Sequence, residues 1–151
     1  MKTRVNILEK GKKGLNALFG VGAYLKKSTV EQALLELIAF RIAQINGCAF
    51  CLDMHAKEAR AAGETEQRIY SLSAWKEMPA YTEREKAALA WAEAVNSHRV
   101  PEEVFERAKK HFSEEELFDL TLAVGTSATW NKLNIALSPA QPGSYTVGEF
   151  A

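Results

Sequence analysis

At 151 residues, 47% of them hydrophobic and 25% charged, the chain can bury a core without a disulfide framework or structural metal, and wholesale disorder is excluded. Nineteen basic residues balance nineteen acidic ones, and the clusters Lys10, Lys12, Lys13 and Lys26, Lys27 are offset elsewhere. The basic stripe that marks a nucleic-acid binder is therefore missing. No apolar run approaches the roughly 20 residues of a membrane span; Ala33 to Phe40 is interrupted by Glu36 and stops at Arg41.

The N-terminal segment, residues 1–27, opens with the positive stretch Met1-Lys2-Thr3-Arg4. Glu9, Lys10, Lys12 and Lys13 then break the region where a secretory leader needs its apolar core, which predicts a cytoplasmic protein. Gly11, Gly14, Gly20 and Gly22 interrupt the apolar residues that follow and weaken the case for a helix. A helical core is expected over 28–138. Ser28-Thr29-Val30-Glu31 has the form of a capping box, after which Leu34, Leu35, Ile38, Ile42 and Ile45 recur at helical spacing as far as Asn46-Gly47. A second helix starts near Cys48 and stops at Gly63; a third runs from Thr65 through Trp75 and ends before Pro79.

Thr82-Glu83-Arg84-Glu85 forms another box and opens a helix to about Ser97. Pro101 suits the first turn of the next, which carries Val104, Phe105 and Ala108. Ser113-Glu114-Glu115-Glu116 starts a longer helix to roughly Leu137, apolar around more of its circumference than one core contact requires, which points to a subunit interface. Pro139, Pro142, Gly143 and Gly148 make the tail, 139–151, an extended arm that frays or docks on a neighbour. No segment alternates as strands do. The expected fold is all-α: one domain of about six to seven helices.

The chemistry concentrates in Cys48-Ala49-Phe50-Cys51 and His55. Cysteines three apart at a helix start face one side, and the helix N-terminus favours the thiolate. His55 lies one turn beyond Cys51 and can accept its proton, leaving Cys48 as the resolving thiol. The same pair is also half a zinc site, with His55, His98, His111 and carboxylates as the remaining candidate ligands, or two inert buried thiols. Redox, metal-binding and idle readings stay open on these residues alone.

Glu36 stands among Leu34, Leu35, Leu37 and Ile38, where a carboxyl needs a partner or a task. Desolvation there makes it a proton carrier, whereas exposure or pairing with Arg41 makes it ordinary. His98 and His111 sit at helix ends and read as caps or surface residues; Trp75, Trp91 and Trp130 read as core. No Gly-rich phosphate loop follows a strand, so no flavin, haem or nicotinamide is expected.

The stretch from Glu36 through Arg41, Gln44, Asn46-Gly47-Cys48-Ala49-Phe50-Cys51 to Asp53-Met54-His55 resembles the core of the alkyl hydroperoxidase D-like branch of the carboxymuconolactone decarboxylase superfamily. Lys57-Glu58-Ala59-Arg60, Gly63-Glu64 and Leu89-Ala90-Trp91-Ala92-Glu93-Ala94 extend the likeness, which covers roughly 30 to 137. It implies an all-helical fold assembled as a homotrimer or homohexamer. It also implies a peroxidase in which Cys51 attacks the hydroperoxide, Cys48 resolves, His55 activates Cys51 and Glu36 completes a proton relay through water. The implied partners are a hydroperoxide substrate and a dithiol reductant, either a lipoyl group or a small redox protein. The best-known enzymes of this branch place a histidine between the cysteines, where this chain has Phe50. A disulfide reductase acting on another substrate, a metal-binding module and a non-catalytic oligomer are the alternatives.

Overall fold

A computed structural model describes residues 3–149; Met1 and Lys2 of the expected N-terminal segment, and Phe150 and Ala151 of the expected tail, lie outside the described residues. Among the described residues the chain is all-helical: α1 (Ile7–Lys10), α2 (Lys12–Leu25), α3 (Gln32–Asn46), α4 (Ala49–Ala61), α5 (Glu66–Ser71), α6 (Glu83–Asn96), α7 (Glu102–Lys109) and α8 (Glu114–Leu137). The count exceeds the expected six to seven because α1 and α2 form in the glycine-interrupted segment. Each interior glycine costs about 1 kcal/mol of helix stability. Packing of α2 against α8, with Leu15 and Leu25 buried, offsets that cost.

The centre of the fold is α3. Leu34, Leu35, Leu37, Ile38, Phe40, Ile42 and Ala43 are buried, so the helix is apolar around most of its girth and needs cover on several sides. It receives that cover from α4, α6 and α8. Leu72, Leu89, Leu120 and Val124 complete the interior.

The boxes at Thr82 and Ser113 form as expected, each hydroxyl accepting from the backbone three residues on while Glu85 or Glu116 reaches back. The box expected at Ser28 does not form, and α3 starts at Gln32 with Glu31 as its cap. The Ser28 hydroxyl is instead taken by the buried carboxylate of Asp119 on α8, which also accepts from Tyr24. Glu31 turns outward to pair with Arg84 at 2.9 Å. The helix expected through Trp75 ends at Ser71 and tightens into a 3-10 turn, Leu72–Ala74, that brings Leu72 and Trp75 into the core.

Trp75 and Trp91 are buried as expected, whereas Trp130 is half-buried and packs against Phe19 of α2 with the rings tilted. At the far end of α8 the last carbonyls meet the start of the chain: Arg4 and Val5 donate backbone N–H groups to Leu137, and the Arg4 guanidinium reaches Ala136 at 3.0 Å. Helix α8 then stops at Ser138, in the left-handed region, ahead of Pro139. Among the described residues no helix is long and apolar enough to cross a membrane.

Candidate active site

The site grows from the turn between α3 and α4. Gly47 adopts φ +70°, a conformation costly for residues with a Cβ, and it ends α3 and reverses the chain. Cys48 follows in extended conformation and caps α4. Its sulfur accepts from the N–H of Cys51 at 3.3 Å. The two sulfurs are joined as a disulfide with Cα atoms 5.3 Å apart, as the three-residue spacing predicts for a helix start. Cys48 is 1% and Cys51 2% exposed, so neither sulfur is open to a bulky reagent in this state.

One turn along α4 stands His55. Its Nδ1 lies 2.6 Å from Oε1 of Glu36 on α3, and both side chains are largely covered. The structure thus pairs Glu36 with His55 and joins Cys48 to Cys51, with His55 one turn beyond Cys51 on α4. Glu36 is not paired with Arg41, the ordinary alternative. Arg41 is drawn across to Glu93 on α6 at 2.8 Å, and Glu93 also accepts from the indole of Trp75. These donors hold the Glu93 carboxyl below its usual range, although burial pushes the other way.

Two further features were not anticipated. The first is a group of asparagines. Asn134 on α8 directs its amide at the sulfur of Cys51, 3.7 Å away, and donates to the Trp130 carbonyl at 3.0 Å. One turn earlier, the buried Asn131 accepts from Asn46, the last residue of α3, at 3.0 Å; Asn46 also exchanges hydrogen bonds with Asn96. The signal available in the sequence was two asparagines three apart near the end of α8.

The second is the tail. The described part of the expected arm, 139–149, docks on α4 of its own chain. Lys57 of α4 donates to the carbonyls of Gly143 and Tyr145 and pairs with Asp53 at 2.8 Å. Glu58 accepts from the Tyr145 hydroxyl and from the N–H of Gly148, and these two bonds hold its carboxyl below the usual range. The Tyr145 ring meets Phe50, the residue between the cysteines, edge-on at 6.3 Å. Burial and the Glu58 carboxylate push the Tyr145 phenol up to about 12.

Among the described residues no cluster of three or more His, Cys, Asp and Glu side chains is placed to hold a metal ion. His98 is exposed, in the left-handed region just past α6, and His111 follows α7, where its carbonyl accepts from Arg84. Neither meets the cysteines.

Comparison with known proteins agrees with this geometry. The model of the carboxymuconolactone decarboxylase family matches residues 12–94, which include Glu36, both cysteines and His55. The uncharacterized protein YdfG of Bacillus subtilis (strain 168) is 42% identical over 140 residues, 91% of this chain and 95% of that protein. A crystal structure of a protein of unknown function from Agrobacterium tumefaciens, provisionally assigned to antioxidant defence as AhpD, superposes with a TM-score of 0.87 at 39% identity and covers 93% of this chain and 99% of that one. The debrominase Bmp8 shares the fold, with a TM-score of 0.79 at 22% identity over 92% of this chain and 77% of its own. The chain belongs to the carboxymuconolactone decarboxylase family, in its alkyl hydroperoxidase D-like branch.

Proposed function

We propose that the chain is a dithiol peroxidase that reduces hydroperoxides through the Cys48–Cys51 pair. The observation that carries this reading is the 2.6 Å contact of Glu36 with His55, one helical turn from a cysteine pair within bonding distance. With Nδ1 turned to Glu36, Nε2 is the imidazole nitrogen left to take the proton of the Cys51 thiol. The Cys51 thiolate attacks the terminal oxygen of the hydroperoxide, the O–O bond breaks, and the alkoxide leaves as an alcohol with that proton. Cys51 becomes a sulfenic acid. Cys48 then attacks the Cys51 sulfur, water departs, and the disulfide forms. A dithiol reductant, such as a lipoyl group or a small redox protein, then supplies two electrons and two protons by thiol–disulfide exchange, restoring both thiols and itself becoming a disulfide.

The same reading includes assembly as a homotrimer or homohexamer in the cytoplasm. Phe19 on α2 and Phe118 and Ile135 on α8 are exposed apolar side chains, and a groove of about 450 Å³ lies between Leu18, Phe118 and Leu122. These surfaces support a contact between copies.

The test is stopped-flow mixing of the reduced protein with cumene hydroperoxide, with free thiols counted before and after. Rapid loss of both thiols and formation of the internal disulfide is the expected result, and Cys51→Ser should abolish it. Reduced protein that keeps both thiols over minutes, or a Cys51→Ser variant that turns over normally, overturns the assignment.

A further inference from the structure

We propose that Asn134 is a hydrogen-bond donor to the reacting sulfur and that, beside His55 as the base paired with Glu36, it favours Cys51 over Cys48 as the thiolate. This rests on the reading of Cys51 as the attacking thiol. The cap of α4 by itself favours the other cysteine. The Cys51 N–H at the helix start, the donor best placed to hold an anion, goes to the Cys48 sulfur at 3.3 Å. A pair served only by that bond ionises first at Cys48.

The compensating donor comes from α8. One N–H of the Asn134 amide goes to the Trp130 carbonyl at 3.0 Å, which fixes the plane of the group, and the amide nitrogen stands 3.7 Å from the Cys51 sulfur, within reach of an N–H···S bond. The contact joins residues 83 apart in the chain. An amide so held donates more strongly to a thiolate than to a thiol, because a bond to an ionised acceptor is roughly twice as strong as a neutral one.

The mounting of Asn134 supports the same role. Asn131, one turn back and 1% exposed, accepts from Asn46, two residues before Cys48. Helix α8 is therefore pinned to the turn that carries the dithiol as well as to the sulfur itself. Misplacement by an ångström would remove the N–H···S bond, and burying the polar Asn131 beneath it is otherwise a cost. The Asn131 amide nitrogen has no partner of its own, so the group is held here against that cost.

The test follows ionisation of each cysteine separately. Reduced full-length protein is alkylated with iodoacetamide across a pH series, and modification at Cys48 and at Cys51 is read by peptide mass spectrometry. Asn134→Leu keeps the bulk and removes the donor. It should lower the thiolate fraction at Cys51 about tenfold at a pH below its midpoint, a shift of about one pH unit, and move Cys48 less. Asn134→Asp keeps the shape but sets a carboxylate against the sulfur; the shift at Cys51 should be larger. Asn134→Gln, which retains an amide, should recover part of the wild-type profile.

Circular dichroism and thermal melting establish that each variant is folded. Should the leucine variant fail to fold, the near-isosteric Asn134→Asp carries the test. Equal movement at both cysteines, or none at Cys51, overturns the role of Asn134. A selective shift at Cys51 in a protein that ignores hydroperoxide leaves Asn134 in place and removes the peroxidase reading instead. The two failures are thereby separate.

Discussion

Nδ1 of His55 on α4 and Oε1 of Glu36 on α3 lie 2.6 Å apart, so the imidazole beside the dithiol has one nitrogen fixed by a carboxyl from the neighbouring helix. A group placed in this way orients the base as well as balancing its charge. Glu36→Gln keeps the size of the side chain and changes what it offers His55. The peroxide reaction should slow roughly 10-fold to 100-fold, and His55→Asn should slow it roughly 100-fold or more, because positioned acid–base groups contribute factors of that order. Stopped-flow rates at neutral pH check both. Rates within twofold of wild type in either variant would remove that residue from the relay.

The docking of the tail on α4 has a pH window of its own. The Glu58 carboxyl lies below its ordinary value of 4.5, first through the Gly148 N–H and then through the Tyr145 hydroxyl. A lowered folded value means that this contribution is present above 4.5 and is lost as the pH falls through the folded value. Tyr145 is raised from 10.0 to about 12, so its contribution is complete below 10 and is lost as the pH rises toward 12. Tail protection, measured by amide hydrogen exchange at 143–149, should hold from pH 4.5 to 10 and decline on either side. Tyr145→Phe should loosen the tail inside the window, since it removes the hydroxyl donor to Glu58. Protection that Tyr145→Phe leaves unchanged inside the window would mean that apolar contacts, not these bonds, hold the arm.

Gly47 offers a purely conformational test. At φ +70° it occupies the left-handed region, and a Cβ added there would touch nothing within 4 Å. Gly47→Ala therefore meets no clash, only the backbone cost of about 1 to 2 kcal/mol. A chain of this size should lose roughly 2–8 °C in Tm as a result. Because the neighbouring residue is Cys48, the rate of disulfide closure should fall as well. A thermal midpoint equal to that of wild type would show that the turn relaxes out of the left-handed conformation.

The sequence by itself determined what acts over one or two helical turns. The CxxC pair, His55 four residues on, and the boxes at Thr82 and Ser113 depend on neighbours within a single helix or its cap, and spacing is enough to read them. Apolar periodicity likewise marked α3 as a core helix. The tertiary structure decided which of several nearby partners each polar group takes. Ser28 had a local partner in view and went to Asp119, 91 residues away. Arg41 lay five residues from Glu36 and went to Glu93, which left Glu36 for His55. The amide of Asn134 reached the Cys51 sulfur, and the tail closed on Lys57 and Glu58, only because α8 crosses α3 and α4. A hydrogen bond between distant residues gains its energy from burial that the fold creates, and no local pattern records which competitor that burial will favour.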